Sequence, residues 1–352
     1  MEFRVLDSIE PIALDWDDLA TRAGASPFLR PGWFQAWWSA FGRGRLAIMS
    51  LRHDGRLVGV APLYRHWGTM LAVANVHSPE FALLAEDAAT ERALAEHVFE
   101  ANPLHTSLCY LQAGVHSTGE LYRAARASKR LLLSVTMQRS PYVDIDGDWE
   151  QFEEGLAKKF VADLRRRRRA LEREGEVTIE VVDGSKRLDE LVAEAFLIEP
   201  SGWKDKRGTA IRSSPKTRGF YEDVAAWAAP RGCLRLAFLR VDGRPVAVHY
   251  ALEANGSWYF LKGGLDPEAR RFAPGKLLVH ALLERAFANG LSSFEFLGAD
   301  EPWKRDWRPA HRELLLQHSF PRTPVGLGWS SAIAAWRYVG LPLAKRTLGW
   351  AR

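Results

Sequence analysis

Apolar positions along the chain recur in strand-like and helix-like runs, and one of the strand-like runs occurs twice. Leu51-Arg52-His53-Asp54-Gly55-Arg56-Leu57-Val58-Gly59-Val60 aligns with Leu239-Arg240-Val241-Asp242-Gly243-Arg244-Pro245-Val246-Ala247-Val248, seven identities in ten positions at an offset of 188. Each copy is a pair of apolar strands broken by Asp-Gly, a dipeptide that supplies the positive φ values of a tight hairpin turn. Apolar residues at helical spacing precede both hairpins, from Trp33 to Phe41 and from Phe220 to Ala229. A strand, a helix and a second strand follow each, near Phe81 to Leu84, Ala88 to Ala101 and Ser107 to Gln112 in the first half, and near Trp258 to Lys262, Lys276 to Asn289 and Ser293 to Gly298 in the second. Hairpins require antiparallel pairing and strand-helix-strand ends require parallel crossovers. The chain therefore reads as two copies of one α/β unit with mixed sheets. The expected divisions are residues 1–145, residues 146–320 and a tail over 321–352, with Trp149 to Glu174 as one long charged helix.

With 47% apolar and 26% charged residues among 352, most of the chain should fold, and it is long enough for two cores. Its two cysteines, Cys109 and Cys233, exclude a disulfide framework and a cysteine-rich zinc site, and read as buried small hydrophobes. The first residues lack the basic and apolar regions of a signal peptide, which predicts a cytoplasmic protein.

The net charge of +5 conceals an uneven distribution. Lys158 to Arg173 alone carries +6, the tail from Pro321 carries +5, and the remainder is −6. Arg165 to Arg169 wraps more than one helical turn and reads either as a solvated face or as a contact for an anionic membrane, an acidic polymer or RNA. The tail holds Trp329, Trp336, Tyr338 and Trp350, and its uncharged stretch is shorter than the roughly 20 residues that span a bilayer. Docking on the protein itself and peripheral contact with the inner membrane are both open to it.

The two copies differ most in the loop before their crossover helix. In the second it reads Asp266-Pro267-Glu268-Ala269-Arg270-Arg271-Phe272-Ala273-Pro274-Gly275-Lys276, opening onto an amphipathic helix. Such a helix start presents unpaired N–H groups and a positive dipole end, to which Arg270, Arg271 and Lys276 add charge, so it suits a pyrophosphate. In the first copy Leu84 to Glu91 carries three acids that would repel an anion, and that half reads as scaffold.

The tandem units and the Arg270-x-x-Ala273-x-Gly275 loop resemble the GNAT (Gcn5-related N-acetyltransferase) superfamily, whose acyl-CoA pyrophosphate loop runs Arg/Gln-x-x-Gly-x-Gly/Ala. The second half looks more specifically like the BioF2-like acetyltransferase domain of CelD-like proteins, which is related to the Fem aminoacyl transferases. Three stretches carry this resemblance: Glu199-Pro-Ser-Gly-Trp-Lys204 with Gly208 to Ile211; Asp266 with Pro274 to Leu278; and Phe294 to Gly298 with Glu301-Pro-Trp-Lys304 and Trp307. The resemblance implies a tandem GNAT-like acyl-CoA N-acyltransferase fold, with acyl-CoA as co-substrate, no metal, and transfer of an acyl group to an amine of a small molecule, saccharide or lipid in cell-envelope metabolism. A Fem-like aminoacyl transferase and a non-catalytic polysaccharide-assembly factor are the alternatives, and the CoA-like loop argues against a nucleic-acid partner.

Attack on a thioester needs an uncharged amine, hence a proton acceptor, and N–H donors for the oxyanion. Backbone amides around Trp258 to Lys262 would supply the donors. Glu199, His249 and Asp300 are the candidate catalytic side chains, with Glu295 a further carboxylate on the last strand. The candidate cofactor residues are Arg270, Arg271, Ala273, Pro274, Gly275 and Lys276. Trp203, Lys204, Tyr259, Lys262 and Lys304 are the candidate substrate contacts.

Overall fold

The computed structural model describes residues 1–101, 103–198 and 214–335. In chain order its strands are β1 (Glu2–Leu6), β2 (Arg45–Leu46), β3 (Ile48–His53), β4 (Arg56–Ala61), β5 (Leu63–His66), β6 (Thr69–Ala72), β7 (Leu84–Ala85), β8 (His105–Gln112), β9 (Leu131–Asp144), β10 (Val177–Val182), β11 (Leu234–Val241), β12 (Arg244–Ala254), β13 (Ser257–Leu265), β14 (Ser293–Glu295) and β15 (Ala310–Phe320). The α-helices are α1 (Ala13–Arg22), α2 (Pro31–Phe41), α3 (Ala88–Glu100), α4 (His116–Ala127), α5 (Trp149–Gly155), α6 (Lys158–Leu171), α7 (Leu188–Ile198), α8 (Pro215–Ala228), α9 (Pro274–Ala288), α10 (Pro302–Arg305) and α11 (Pro324–Ala335). The mixed α/β class expected from the hydrophobic pattern is what the chain adopts.

Two compact units interleave along the sequence. One holds residues 1–25, 43–137 and the chain from Glu313; the other holds residues 26–42 and 138–312. The chain from Glu313 thus groups with the first unit, and α2 groups with the second although it lies in the first half of the sequence.

The hairpin repeat extends beyond its identities. Asp54 (φ 50) and Gly55 (φ 80) turn β3 into β4, and Asp242 (φ 48) and Gly243 (φ 77) turn β11 into β12. In the first hairpin Leu51 faces Gly59 and Arg52 faces Leu57, so Val58 is a bulge. In the second Leu239 faces Ala247 and Arg240 faces Pro245, so the bulge is Val246, at the same place in the repeat. An antiparallel outer strand, β1 or β10, lies beside each hairpin. After the hairpins the copies diverge. The next strand, β7, has two residues in the first copy, whereas its counterpart β13 has nine.

In the second unit the strand order is β10-β11-β12-β13-β14-β9. One face is covered by α9 and α6, whose Leu277, Leu278, Leu282, Val161 and Leu164 pack on Ala247, Ala251, Phe260 and Phe294. The opposite face carries Phe196 of α7, Phe220 and Tyr221 of α8, and Tyr250 of β12, whose hydroxyl donates to the Tyr221 carbonyl at 2.8 Å.

The single helix expected over Trp149 to Glu174 is two. Leu156 adopts extended geometry (φ −75, ψ 162) and buries its side chain to 4% exposure, and the Arg308 guanidinium donates to the Gly155 carbonyl that ends α5. Burial of one leucine and capture of a freed carbonyl offset the interrupted helical ladder.

Candidate active site

The second unit contains a wedge where two parallel strands part. β13 and β14 pair only over Ser257–Ser293, Trp258–Phe294 and Tyr259–Glu295. Beyond Tyr259, β13 runs on to Leu265, paired with β12 on its other side. β14 ends at Glu295, and the chain turns away through Leu297 (φ 53) and Gly298 (φ 61). Leu261 is a bulge in β13, since Tyr250 faces Lys262 while Ala251 faces Phe260. Beyond Tyr259 the edge of β13 that faces β14 therefore has no strand pairing among the described residues.

β13 leads into a 3-10 turn over Pro267–Phe272, and the next residue, Ala273, lies in the left-handed region (φ 49, ψ 51) before α9 begins at Pro274. Ala273 is the N-cap residue of α9 and makes no side-chain cap, and Pro274 carries no N–H, so Gly275 supplies the first amide of the helix. A Cβ built on Gly275 would meet Leu265 Cδ2 at 3.7 Å, an ordinary van der Waals contact, and nothing closer among the described residues. The corresponding helix of the first copy is closed. Asp87 caps α3 by accepting from the Thr90 N–H at 2.7 Å, an arrangement that lowers the Asp87 pKa, and Glu86 and Glu91 pair with Arg22 and His116.

Residues 158–305 match the family model for the acetyltransferase (GNAT) domain. This segment is a GNAT domain. No curated protein matches the chain by sequence. Among solved structures, FemX aligns at 11% identity over 91% of this chain and 97% of its own, with a TM-score of 0.58. The C-terminal DUF2156 domain assigned to a lysylphosphatidylglycerol synthetase of Agrobacterium fabrum aligns at 14% identity, covering 93% and 97%, with a TM-score of 0.57. L-PGS of Bacillus licheniformis aligns at 12%, covering 90% and 94%, with a TM-score of 0.56. These likenesses concern the fold.

Within the GNAT domain, two of the three loop cations are engaged by other residues of the protein. Lys276 is tied to Asp306 at 2.6 Å and lies over the Phe160 ring, and Arg271 pairs with Glu174 at 3.2 Å and stacks on Phe272. Arg270 is exposed and makes no ion pair among the described residues, so it is the cation left for an anion at the helix start. Asp266 caps the 3-10 turn through the Glu268 N–H and pairs with Arg244.

The candidate bases separate clearly. Glu295 is 5% exposed, accepts from Ser293 Oγ at 3.0 Å and is held by Arg312 at 2.7 Å, itself stacked on Tyr142. That carboxylate is engaged in a structural ion pair. Asp300 lies beside Arg305 (3.1 Å) and His311 (3.4 Å), and despite its partial desolvation these partners lower its pKa. A weakly basic carboxylate is a poor proton acceptor, which argues against the role expected of Asp300. His249 is 3% exposed and stacked on Phe260 at 3.7 Å, in the layer between sheet and α9. Glu199, Trp203 and Lys204 lie outside the described residues.

Of the expected substrate contacts, Tyr259 marks the point of the wedge and packs edge-on against Phe28, 5.2 Å between rings. Lys262 places its ammonium 5.5 Å from the Tyr221 ring. Lys304 is a correction. It is 4% exposed, and its ammonium donates to the carbonyls of Leu297 and Ala299, so it builds the turn below the wedge instead of meeting substrate.

Two further expectations change. Four of the five consecutive arginines are paired: Arg165 to Glu153, Arg166 and Arg167 to Asp163, and Arg168 to Glu172. Cys109 and Cys233 are half-buried rather than fully buried, and desolvation pushes the Cys109 thiol up to about 12, far from a nucleophile. The sequence reading missed the aromatic contribution of residues 26–42, where Phe28, Trp33 and Phe41 pack on Tyr259 and Phe220. The aromatic run from Trp33 signals a buried helix but not its partner.

Proposed function

We propose that the protein is an acyl-CoA-dependent N-acyltransferase that acylates an amine of a cell-envelope saccharide or lipid. The carrying observation is the contrast between the two crossover helices: α3 is closed by its own Asp87, while α9 starts at Ala273 and Pro274 with no side-chain cap. An acyl-CoA would supply an activated thioester. The Gly275 amide, the N-terminal dipole of α9 and the Arg270 guanidinium would hold its pyrophosphate. Amides on the open side of β13 beyond Tyr259 would donate to the oxyanion as it develops. Glu199 would take a proton from the acceptor's ammonium, so that the neutral amine attacks the thioester carbonyl and CoA leaves as its thiol, because Glu295, Asp300 and His249 are engaged elsewhere.

Thiol release from acyl-CoA in the presence of a panel of amines tests this reading. Amine-dependent release is expected, and Glu199→Gln should suppress it most near neutral pH, with partial recovery as the amine deprotonates in alkali. Glu199→Gln with an unchanged rate across pH would remove that residue from the mechanism. The likeness to FemX and to lysylphosphatidylglycerol synthetase domains over at least 90% of this chain favours a second reading, an aminoacyl donor. Transfer from aminoacyl-tRNA, with acyl-CoA inert, would select it.

A further inference from the structure

We propose that the first unit carries a docking face for anionic phospholipid bilayers, formed by the β5–β6 hairpin tip, the entry to β8, and α11. At the tip Trp67 has φ 44 and Gly68 has φ 73. The first of these turn positions suits Asn, Asp or Gly and is strained for a bulky side chain. Trp67 nonetheless sets an indole there, 89% exposed and stacked on the His66 ring. The fold gains neither burial nor turn geometry from that choice. An amphipathic ring seated at a water–lipid boundary would gain burial.

Neighbouring residues extend the apolar surface. Leu104, 61% exposed, lies against Gly68, and the following residue, His105, pairs with Thr69 in the β6–β8 register. The His105 ring is 5.8 Å from that of Trp329, which is 49% exposed on α11. That helix, PVGLGWSSAIAA, carries no charge and also exposes Val325 and Leu327. Hairpin tip, strand entry and helix thus converge at one end of the unit.

Charge selects the occupant. β2 pairs with β5 so that Arg45 lies directly opposite Arg65, and Arg43 precedes them in the chain. All three are exposed, and none forms an ion pair among the described residues. Like charges facing each other across a strand pair are destabilising, and an anionic surface relieves that repulsion. The five-arginine run of α6 is largely neutralised by its own carboxylates, whereas these three guanidiniums are not. Among the described residues no helix is long and apolar enough to cross a membrane, so the contact is peripheral.

Sedimentation of the full chain with phosphatidylcholine vesicles, with and without phosphatidylglycerol, tests the proposal. Binding should require phosphatidylglycerol and weaken in high salt. Trp67→Asn, a substitution that suits the turn, and Arg43→Gln/Arg45→Gln/Arg65→Gln should each weaken partitioning about tenfold or more. Leu327→Ser/Trp329→Ser should do the same, and Arg165→Gln/Arg166→Gln on α6 should bind like wild type. Four results would overturn the proposal: no co-sedimentation by the wild type, undiminished binding by the Trp67 and triple-arginine variants, loss confined to the α6 variant, or a Trp67-dependent dimer that ignores vesicles.

Discussion

The Lys304 ammonium donates to the Leu297 carbonyl at 2.7 Å, across the turn where β14 leaves the sheet. Leu297 and Gly298 both have positive φ there, and the carbonyls of Leu297 and Ala299 converge on the ammonium. A second bond to Ala299 at 2.9 Å and the Glu301 carboxylate at 3.3 Å also hold the ammonium. A lysine that reads as a substrate contact in the sequence is therefore what keeps the wedge open.

Lys304→Met keeps the side chain's length and removes its donors, depriving the part-buried Leu297 and Ala299 carbonyls of this partner and leaving the Glu301 carboxylate with the Trp303 indole N–H. A loss of about 2–4 kcal/mol is expected by urea unfolding. Ligand affinity at α9 should fall with it, because the turn and the helix start share the wedge. Stability within about 0.5 kcal/mol of wild type would show that the turn does not depend on this lysine.

Ala273 pays for a left-handed conformation that glycine adopts freely. Ala273→Gly should stabilise the protein by about 0.5–1 kcal/mol, the relief at φ 49 exceeding the added chain entropy of the unfolded state. A lower melting temperature would mean that the alanine methyl makes packing contacts worth more than the strain.

His105 and His318 share a hydrogen bond of 2.9 Å in the first unit. Burial, with His318 and Arg130 nearby, pulls the His105 pKa from 6.5 down to about 4. The folded state favours the neutral ring, so its contribution is complete above the unfolded pKa and is lost as pH falls towards 4. Stability should drop by about 2–3 kcal/mol over that interval from this group. His105→Gln should flatten the slope between pH 7 and 5; an unchanged slope would assign the pH dependence to other groups.

The two Asp-Gly hairpins were legible because a tight turn is a local property, whereas the bulge they share depends on cross-strand register and was not. The acid-rich loop of the first copy was legible as well, since Asp87 caps α3 through the N–H of Thr90, only three residues on. Partner choice was not. Nothing in the Trp33 to Phe41 spacing reveals that α2 packs on α8, where a Cβ on Gly32 would overlap the Trp227 indole. The pairing of Glu295 with Arg312 and the break at Leu156 likewise depend on residues distant in sequence. Local pattern specifies elements and turns, whereas the roles of Lys304, Lys276 and Glu295 are set by tertiary partners.

Calorimetric titration of acetyl-CoA into wild type and into Gly275→Ala and Gly275→Trp addresses the helix-start site directly. The protein itself leaves room for a Cβ at this position, so Gly275→Ala should retain or slightly raise the melting temperature. With a pyrophosphate seated on the α9 amides, affinity should fall about tenfold for Gly275→Ala and beyond detection for Gly275→Trp. Equal affinity in all three proteins, or no binding by the wild type, would contradict the assignment of α9 as the cofactor site.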